Sequence, residues 1–415
     1  MKIEIELLNS NYKIENSIMG SSEEIIVLED YKVSKRPPIK KTDEIRLWVR
    51  AGGRCELCNK YLLDVTYDVN IGEMAHIVGW SKAKGSPRGE NLLPEEDRNI
   101  VDNLMLMCAE HHKIIDSKSL LSEFTVERLI KHKQDHELRI YHQTGLSVDA
   151  ESVVLRMLGG IRGLPVEVSQ IHVRHVLFKN DQRYARFLDS FDKQSIEIDL
   201  HSLPDPDEGW DLYWNIGKGI IDKNLKVLMQ GLAEGSVRHL SVFALTRIPL
   251  LVYLGYRLGD KIPTSVYQKH RCEEETWLWS DTEPVETFVI NKLISGNSEK
   301  VALILSLSGT IRIDALPSTI TKEFTIYEVR PIETSPHRNI FRNKASYHNF
   351  VKTYHHFLSK MEQADGVCSE VHLFPAIPIS AGIACGRGLM REAHPAMIVY
   401  DLNKNGYQPT LIINN

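Results

Sequence analysis

The sequence predicts a multidomain chain, α+β over its first third and α/β over the remainder. Three observations carry that expectation. At 415 residues the chain exceeds what one small domain fills. Cys55, Cys58, Cys108 and the adjacent His111 and His112 all fall before residue 145. Beyond about residue 165, apolar runs of strand length (RHLSVFALT, VALILSLS, EVHLFPAIP, MIVYDL) alternate with helical patterns, as a layered α/β region requires.

From the N-terminus, residues 1–34 alternate apolar and acidic residues in short pieces, and the basic, proline-containing SKRPPIKK follows. Residues 1–40 therefore read as a small β-rich extension and connector. TDEIRLWVR reads as a helix, with Thr42 able to cap it, Asp43 and Glu44 suited to its first turn, and Gly52-Gly53 to stop it. A strand pair is expected within residues 61–80, then a polar loop, SKAKGSPRGENLLPEEDRN, rich in turn formers. A helix starts near Cys108, and TVERLIKHKQDHELRIYH supplies a second. These elements make a domain over 41–145, with 146–164 as a linker and 165–415 as the α/β region. Within that region HLSVFALTRIPLLVYLGYRLGDKIPTSVYQ echoes EVHLFPAIPISAGIACGRGLMREAHPAMIVYD, which suggests two related halves.

Composition narrows the function classes. With 42% hydrophobic and 25% charged residues the chain is of ordinary soluble type, and no apolar run is long enough to span a membrane. MKIEIELLNSNYKIENS has no continuous apolar core of a secretory signal, so a cytoplasmic location is expected. The net charge of −5, and 18 basic against 17 acidic residues over 35–142, give no global pull towards nucleic acid. Contact with DNA must come from local placement of charge, for which Lys82, Lys84 and Arg88 on the polar loop are the candidates.

Cys55-x2-Cys58 and Cys108-x2-His111 form two ligand pairs suited to one tetrahedral Zn²⁺, whose softness matches thiolate and imidazole. Four such ligands close the shell, so the ion is expected to be structural. Adjacent residues on a helix point about 100° apart. His112 therefore faces away from His111, and Asp116, four residues on, shares its face. That pair is a half-site for a divalent ion such as Mg²⁺.

AGGRCELC, AHI, DNLMLMC and HHKIID, in this order, resemble the His-Asn-His (HNH) nucleases of the ββα-metal type over residues 42–142. The resemblance implies that His76, Asn103 and His112 are the motif residues and that the Cys55, Cys58, Cys108 and His111 set is the zinc knuckle. It implies cleavage leaving 5′-phosphate and 3′-hydroxyl ends. A base near neutral pH suits His76, and an ion on His112 and Asp116 suits the charged phosphate. Asn103 would hold the loop that carries His76. The chain departs from many members at Ala75, where Asp or His is common as a further ligand, so Glu73 or water is left to complete the set.

RHLSVFALTRIPLLVYLGYRLGD, LFPAIPISAGIACGRG and HPAMIVYDL resemble the SAVED domain, a fused pair of CARF-like Rossmann halves that senses cyclic oligonucleotides in bacterial anti-phage (CBASS) signalling. The resemblance implies an effector that degrades double-stranded DNA when it binds a cyclic oligonucleotide, a dinucleotide first, made by a cognate cyclase. Activation would proceed through a homo-oligomer, a dimer or tetramer. Small residues beside helix N-termini in PLLVYLGYRLG and PISAGIACGRG suit phosphates, Arg387 or Arg391 suits their charge, and Tyr267, Trp277 and Trp279 suit base stacking. Two alternatives remain. One is a modification- or sequence-dependent restriction nuclease whose C-terminal region reads DNA, and the other is a non-enzymatic, zinc-stabilised binding module.

Overall fold

The first helix, α1 (Lys41–Arg50), starts one residue before Thr42, and the backbone carbonyl of Lys40 takes the N–H groups of Asp43 and Glu44. Thr42 is therefore not its cap, and no side chain is. The computed structural model describes residues 37–82, 85–160, 168–187, 196–203, 210–270, 276–297, 299–364 and 368–414. The expected β-rich extension, apart from its last residues, and Lys84 lie outside these. Gly52 and Gly53 do stop α1, both at positive φ (60° and 65°), where a side chain would be strained.

The chain divides into two compact units at Thr144/Gly145. In the first, a short hairpin, β1 (Leu63–Asp64) and β2 (Val69–Asn70), precedes β3 (Gly72–His76). The partner of β3 is not its neighbour in sequence but β4 (Leu104–Cys108), antiparallel, with His76 opposite Leu104 and Gly72 opposite Cys108. Helix α2 (Ala109–Ile115) leaves β4 directly, and α3 (Val126–Thr144) closes the unit. All five residues of β4 are buried, and they share a core with Leu47, Ala51, Leu62, Ala75, Ile115 and Leu129. His136 of α3 bonds through Nε2 to the Ala51 carbonyl at 3.0 Å, which gives an acceptor at the end of α1 its donor.

The second unit begins where a linker was expected. Residues 151–158 form β5 (Glu151–Leu158), the strand at the centre of a parallel sheet. ESVVLRML is buried along nearly its whole length, and a strand covered on both faces lacks the alternation that marks a half-exposed one. The first half continues with α4 (Gln170–Asp181), β6 (Tyr184–Arg186), β7 (Ile196–Asp199), α5 (Trp210–Ala233), β8 (Leu240–Leu245), α6 (Ile248–Leu258) and β9 (Thr264–Val266). The second holds β10 (Phe288–Ile294), β11 (Lys300–Ser306), β12 (Thr325–Pro331), α7 (Lys344–Ala364), β13 (Glu370–Ala376), α8 (Ile379–Arg387), β14 (Ala396–Asn403) and β15 (Gly406–Ile413).

The two sheets repeat one plan. The parallel order β7-β5-β8-β9 matches β12-β11-β13-β14, and β10 and β15 add antiparallel edges to the second. The sequence echo falls on β8-α6-β9 and β13-α8-β14. One apolar core spans both halves, and α6 packs directly on α8. Their backbones meet at glycine: a Cβ on Gly255 would lie 2.1 Å from the Ile383 carbonyl oxygen, and one on Gly386 1.9 Å from that of Val252. Two of the small residues in the segments expected to receive phosphates, Gly255 and Gly386, thus serve the junction of the two halves.

Candidate functional site

The cluster of Cys55, Cys58, Cys108 and His111, a knuckle of four possible metal ligands, is built by two turns. Asn59 N–H reaches the Cys55 carbonyl (2.8 Å) and Cys55 N–H the Lys60 carbonyl (2.9 Å), which curls Cys55-Glu56-Leu57-Cys58 into a tight loop. Cys108 is the residue from which α2 departs, so its first turn folds His111 back beside it, with Nδ1 3.1 Å from Cys108 Sγ. The Cys58 and Cys108 sulfurs stand 3.9 Å apart, and all four ligand atoms lie within 4.8 Å of one another. Tetrahedral Zn²⁺ with thiolates at 2.3 Å has edges of about 3.8 Å. The donor set fits a divalent, thiophilic ion. Burial raises the Cys55 thiol, but the backbone N–H groups of Cys58, Cys108 and Leu57 outweigh it and hold the group below the ordinary thiol range.

Turned about 100° from His111 on α2, His112 lines one cleft of about 180 Å³ with Asp116, His76, Met74 and Trp80. His112 Nδ1 lies 2.7 Å from Glu73 Oε2, and its Nε2 lies 3.5 Å from Asp116 Oδ2. A carboxylate can only accept, so Glu73 takes Nδ1–H and leaves the lone pair of the neutral ring on Nε2. Nε2 and Oδ2 are then two acceptors facing one another, an arrangement that calls for a proton or a cation. The Asp116 and Glu73 carboxylates hold the imidazole above the ordinary histidine range against the effect of burial.

His76 sits at the end of β3, and its Nε2 lies 2.9 Å from Asn99 Oδ1. The Asn99 amide is oriented by its other end, since Nδ2 donates to the Pro37 carbonyl (2.8 Å). Asn99 therefore presents its oxygen to His76, which assigns a proton to Nε2. Asn103, only 5% exposed, holds the segment beyond His76 from both sides. Its Oδ1 accepts from Val78 N–H (2.9 Å), and its Nδ2 donates to the carbonyls of Val78 (2.9 Å) and Arg98 (2.8 Å).

Residues 55–121 match the HNH endonuclease family, and residues 221–413 match the SAVED family, the SMODS-associated and fused to various effectors sensor domain. The chain joins an HNH endonuclease domain to a SAVED domain. No curated protein matches it. Among solved structures it is similar to the Cap4 SAVED/CARF-domain containing receptor of Acinetobacter baumannii with the cyclic trinucleotide 2′3′3′-cAAA. Identity there is 14% and the TM-score 0.40, over 74% of this chain and 62% of that one. The Moraxella osloensis Cap4 receptor is similar at 15% identity and a TM-score of 0.35, over 73% and 60%. The chain thus spans about 62% of the length of the first of these structures.

Other expected residues divide sharply. In the HNH domain, Lys82 is exposed on the loop, but Arg88 is not available to DNA. Its side chain is 6% exposed and its guanidinium bonds inward, to Asp116 among others. Ala75 is fully buried in the core, so that position faces away from the cleft.

In the SAVED domain, Tyr267 and Trp277 are core residues, not base platforms. Tyr267 stacks on Phe243 with centroids 4.3 Å apart and donates its hydroxyl to Asp181, while Trp277 meets Phe243 edge-on. Trp279 is half-buried between His270 and Tyr347. Arg387 donates to Thr264 Oγ1 (2.9 Å) and the Ile262 carbonyl (3.3 Å), whereas Arg391 is exposed, 5.3 Å over the Tyr256 ring. No described helix is long and apolar enough to cross a membrane.

The sequence reading missed three contributors. Asn99 orients His76. Arg98, fully buried, donates to the carbonyls of Leu93, Gly79, Gly89 and Asn91 and so holds the loop together. Glu56, inside the knuckle, accepts from Leu106 N–H (3.2 Å) and lies 3.8 Å from Lys133 Nζ. A loop running from β3 to β4 needs internal donors for its carbonyls, and that requirement is the available signal for buried arginines.

Proposed function

We propose that this chain is a DNA endonuclease effector, held inactive until its SAVED domain binds a cyclic oligonucleotide and then active on double-stranded DNA as a homo-oligomer. The observation that carries the nuclease reading is the single cleft shared by His76, His112 and Asp116. The SAVED match over residues 221–413 supports a sensor role for the second unit and favours it over a DNA-reading domain.

In this reading His76 Nδ1 takes the proton of the attacking water while Asn99 holds Nε2–H. Asn103 keeps the strand end beneath it from shifting. His112 Nε2 and Asp116 Oδ2 hold the divalent ion, with Glu73 fixing the imidazole and not itself needed as a ligand. The bound ion supplies positive charge against the phosphate and the leaving oxygen. Lys82 contacts the DNA backbone. Cys55, Cys58, Cys108 and His111 hold Zn²⁺, which pins the start of α2 to the turn after α1. The sensed ligand lies at the carboxyl ends of the parallel strands, where open α/β sheets receive ligands, and Arg391 is an exposed cation on that unit.

Plasmid cleavage by the activated protein tests the assignment. His76→Ala and His112→Ala should each lower the rate by at least about 100-fold. Wild-type cutting by either variant would refute the site.

A further inference from the structure

Arg88 belongs to a polar loop yet is almost wholly enclosed, and its backbone adopts φ +52°, unusual for a residue with a side chain. The enclosed guanidinium is shared between two elements. Nε donates to the Ile77 carbonyl (2.6 Å) and Nη2 reaches the His76 carbonyl (3.2 Å), both at the end of β3. Nη1 donates to the Ile115 carbonyl (2.5 Å) and Nη2 to Asp116 Oδ1 (2.7 Å), both at the end of α2. One planar fork therefore spans the strand that carries His76 and the helix that carries His112 and Asp116. A lysine, with a single nitrogen, cannot reproduce it.

The contact also divides the Asp116 carboxylate. Oδ1 is held by Arg88, so Oδ2 is the oxygen turned to His112 Nε2.

We propose that Arg88 is a positioning residue for the divalent-ion pair: it confines Asp116 to coordination through Oδ2 and fixes the spacing between that pair and His76. The proposal rests on the reading of His112 and Asp116 as the cation site. Through this residue the loop sets ion affinity without touching the ion or the DNA.

The test uses the full-length protein and Mn²⁺ alone, followed by electron paramagnetic resonance of the free ion, beside thermal unfolding and the Mn²⁺ concentration giving half-maximal plasmid cleavage. Arg88→Met should weaken Mn²⁺ binding by about 10- to 100-fold. It should also raise the half-maximal Mn²⁺ concentration in parallel, with the rate partly recovered at high Mn²⁺. Arg88→Lys should fall between it and the wild type. If Arg88→Met does not fold, Arg88→Gln, which keeps an amide donor, is judged by the same criterion.

His112→Ala is the control for the underlying reading. Loss of Mn²⁺ binding in His112→Ala together with wild-type affinity in the Arg88 variants would overturn the proposal and leave the cation site standing. A lower unfolding temperature with unchanged Mn²⁺ affinity would do the same, since that is the signature of a purely structural role. Unchanged binding in His112→Ala would overturn the cation site, and the role of Arg88 with it.

Discussion

Glu73 Oε2 lies 2.7 Å from His112 Nδ1, and this contact decides which nitrogen of His112 faces the cleft. The sequence offered Glu73 as a substitute for the ligand missing at position 75. Its place behind the imidazole makes it the orienting carboxylate instead. Glu73→Ala should weaken divalent-ion binding by about tenfold or more, whereas Glu73→Gln, which retains an acceptor, should do so less. Ion titration of both variants checks this, and equal affinities for Glu73→Ala and the wild type would contradict it.

Asn99 does for His76 what Glu73 does for His112. Asn99→Leu removes the acceptor for Nε2–H and frees the ring to rotate or change tautomer. The expected outcome is a fall in kcat on the order of tenfold to 100-fold, with KM for DNA little changed. Single-turnover cleavage rates separate this from a binding defect.

Asn103 is the buried hub of the β3–β4 loop, and Asn103→Ala would leave the Val78 N–H and the carbonyls of Val78 and Arg98 without their partner. Each buried group so stranded costs about 1–3 kcal/mol. A lower unfolding temperature of the HNH domain and a lower kcat should appear together, the second because His76 lies two residues from the released segment.

Zinc should be present at one ion per chain and should matter to one unit only. Chelation, or Cys58→Ser, is expected to lower the unfolding midpoint of the HNH domain on the order of 10 °C or more. The SAVED domain should be untouched. Elemental analysis with calorimetry reads both.

The SAVED domain carries an acid-sensitive pair. Burial first, then Arg183 beside His239 and Arg342 beside His270, push both imidazoles down to about 4. The unfolded chain takes these protons near pH 6.5 while the folded domain refuses them. Stability from this source is complete above that pH and is lost as pH falls towards 4, by about 1.4 kcal/mol per pH unit for each histidine. His239→Gln and His270→Gln should flatten the pH dependence of unfolding over that window.

Local spacing made much of this legible. The two ligand pairs of the knuckle, the His112/Asp116 face and the repeated strand–helix–strand of the second unit all follow from residues a few positions apart. What depends on distant partners did not. The pairing of β3 with β4 across a long loop has no local signature, and neither has the burial of Arg88 and Arg98, charged residues in a turn-rich segment that reads as solvated. Tyr267 and Trp277 failed for the same reason, because a sequence shows aromatic character but not which face is covered. The small residues of PLLVYLGYRLG and PISAGIACGRG suit phosphates in the sequence, but two of them, Gly255 and Gly386, serve close helix packing, and the two uses of glycine look alike in one dimension.

The most direct test of the switch is plasmid cleavage by the full-length protein with Mg²⁺ across a panel of cyclic di- and trinucleotides, with particle mass followed in the same samples. The account predicts cutting and an increase in particle mass with one cyclic oligonucleotide and neither in its absence. Cutting at the same rate without any nucleotide, or no cutting across the whole panel, would contradict it.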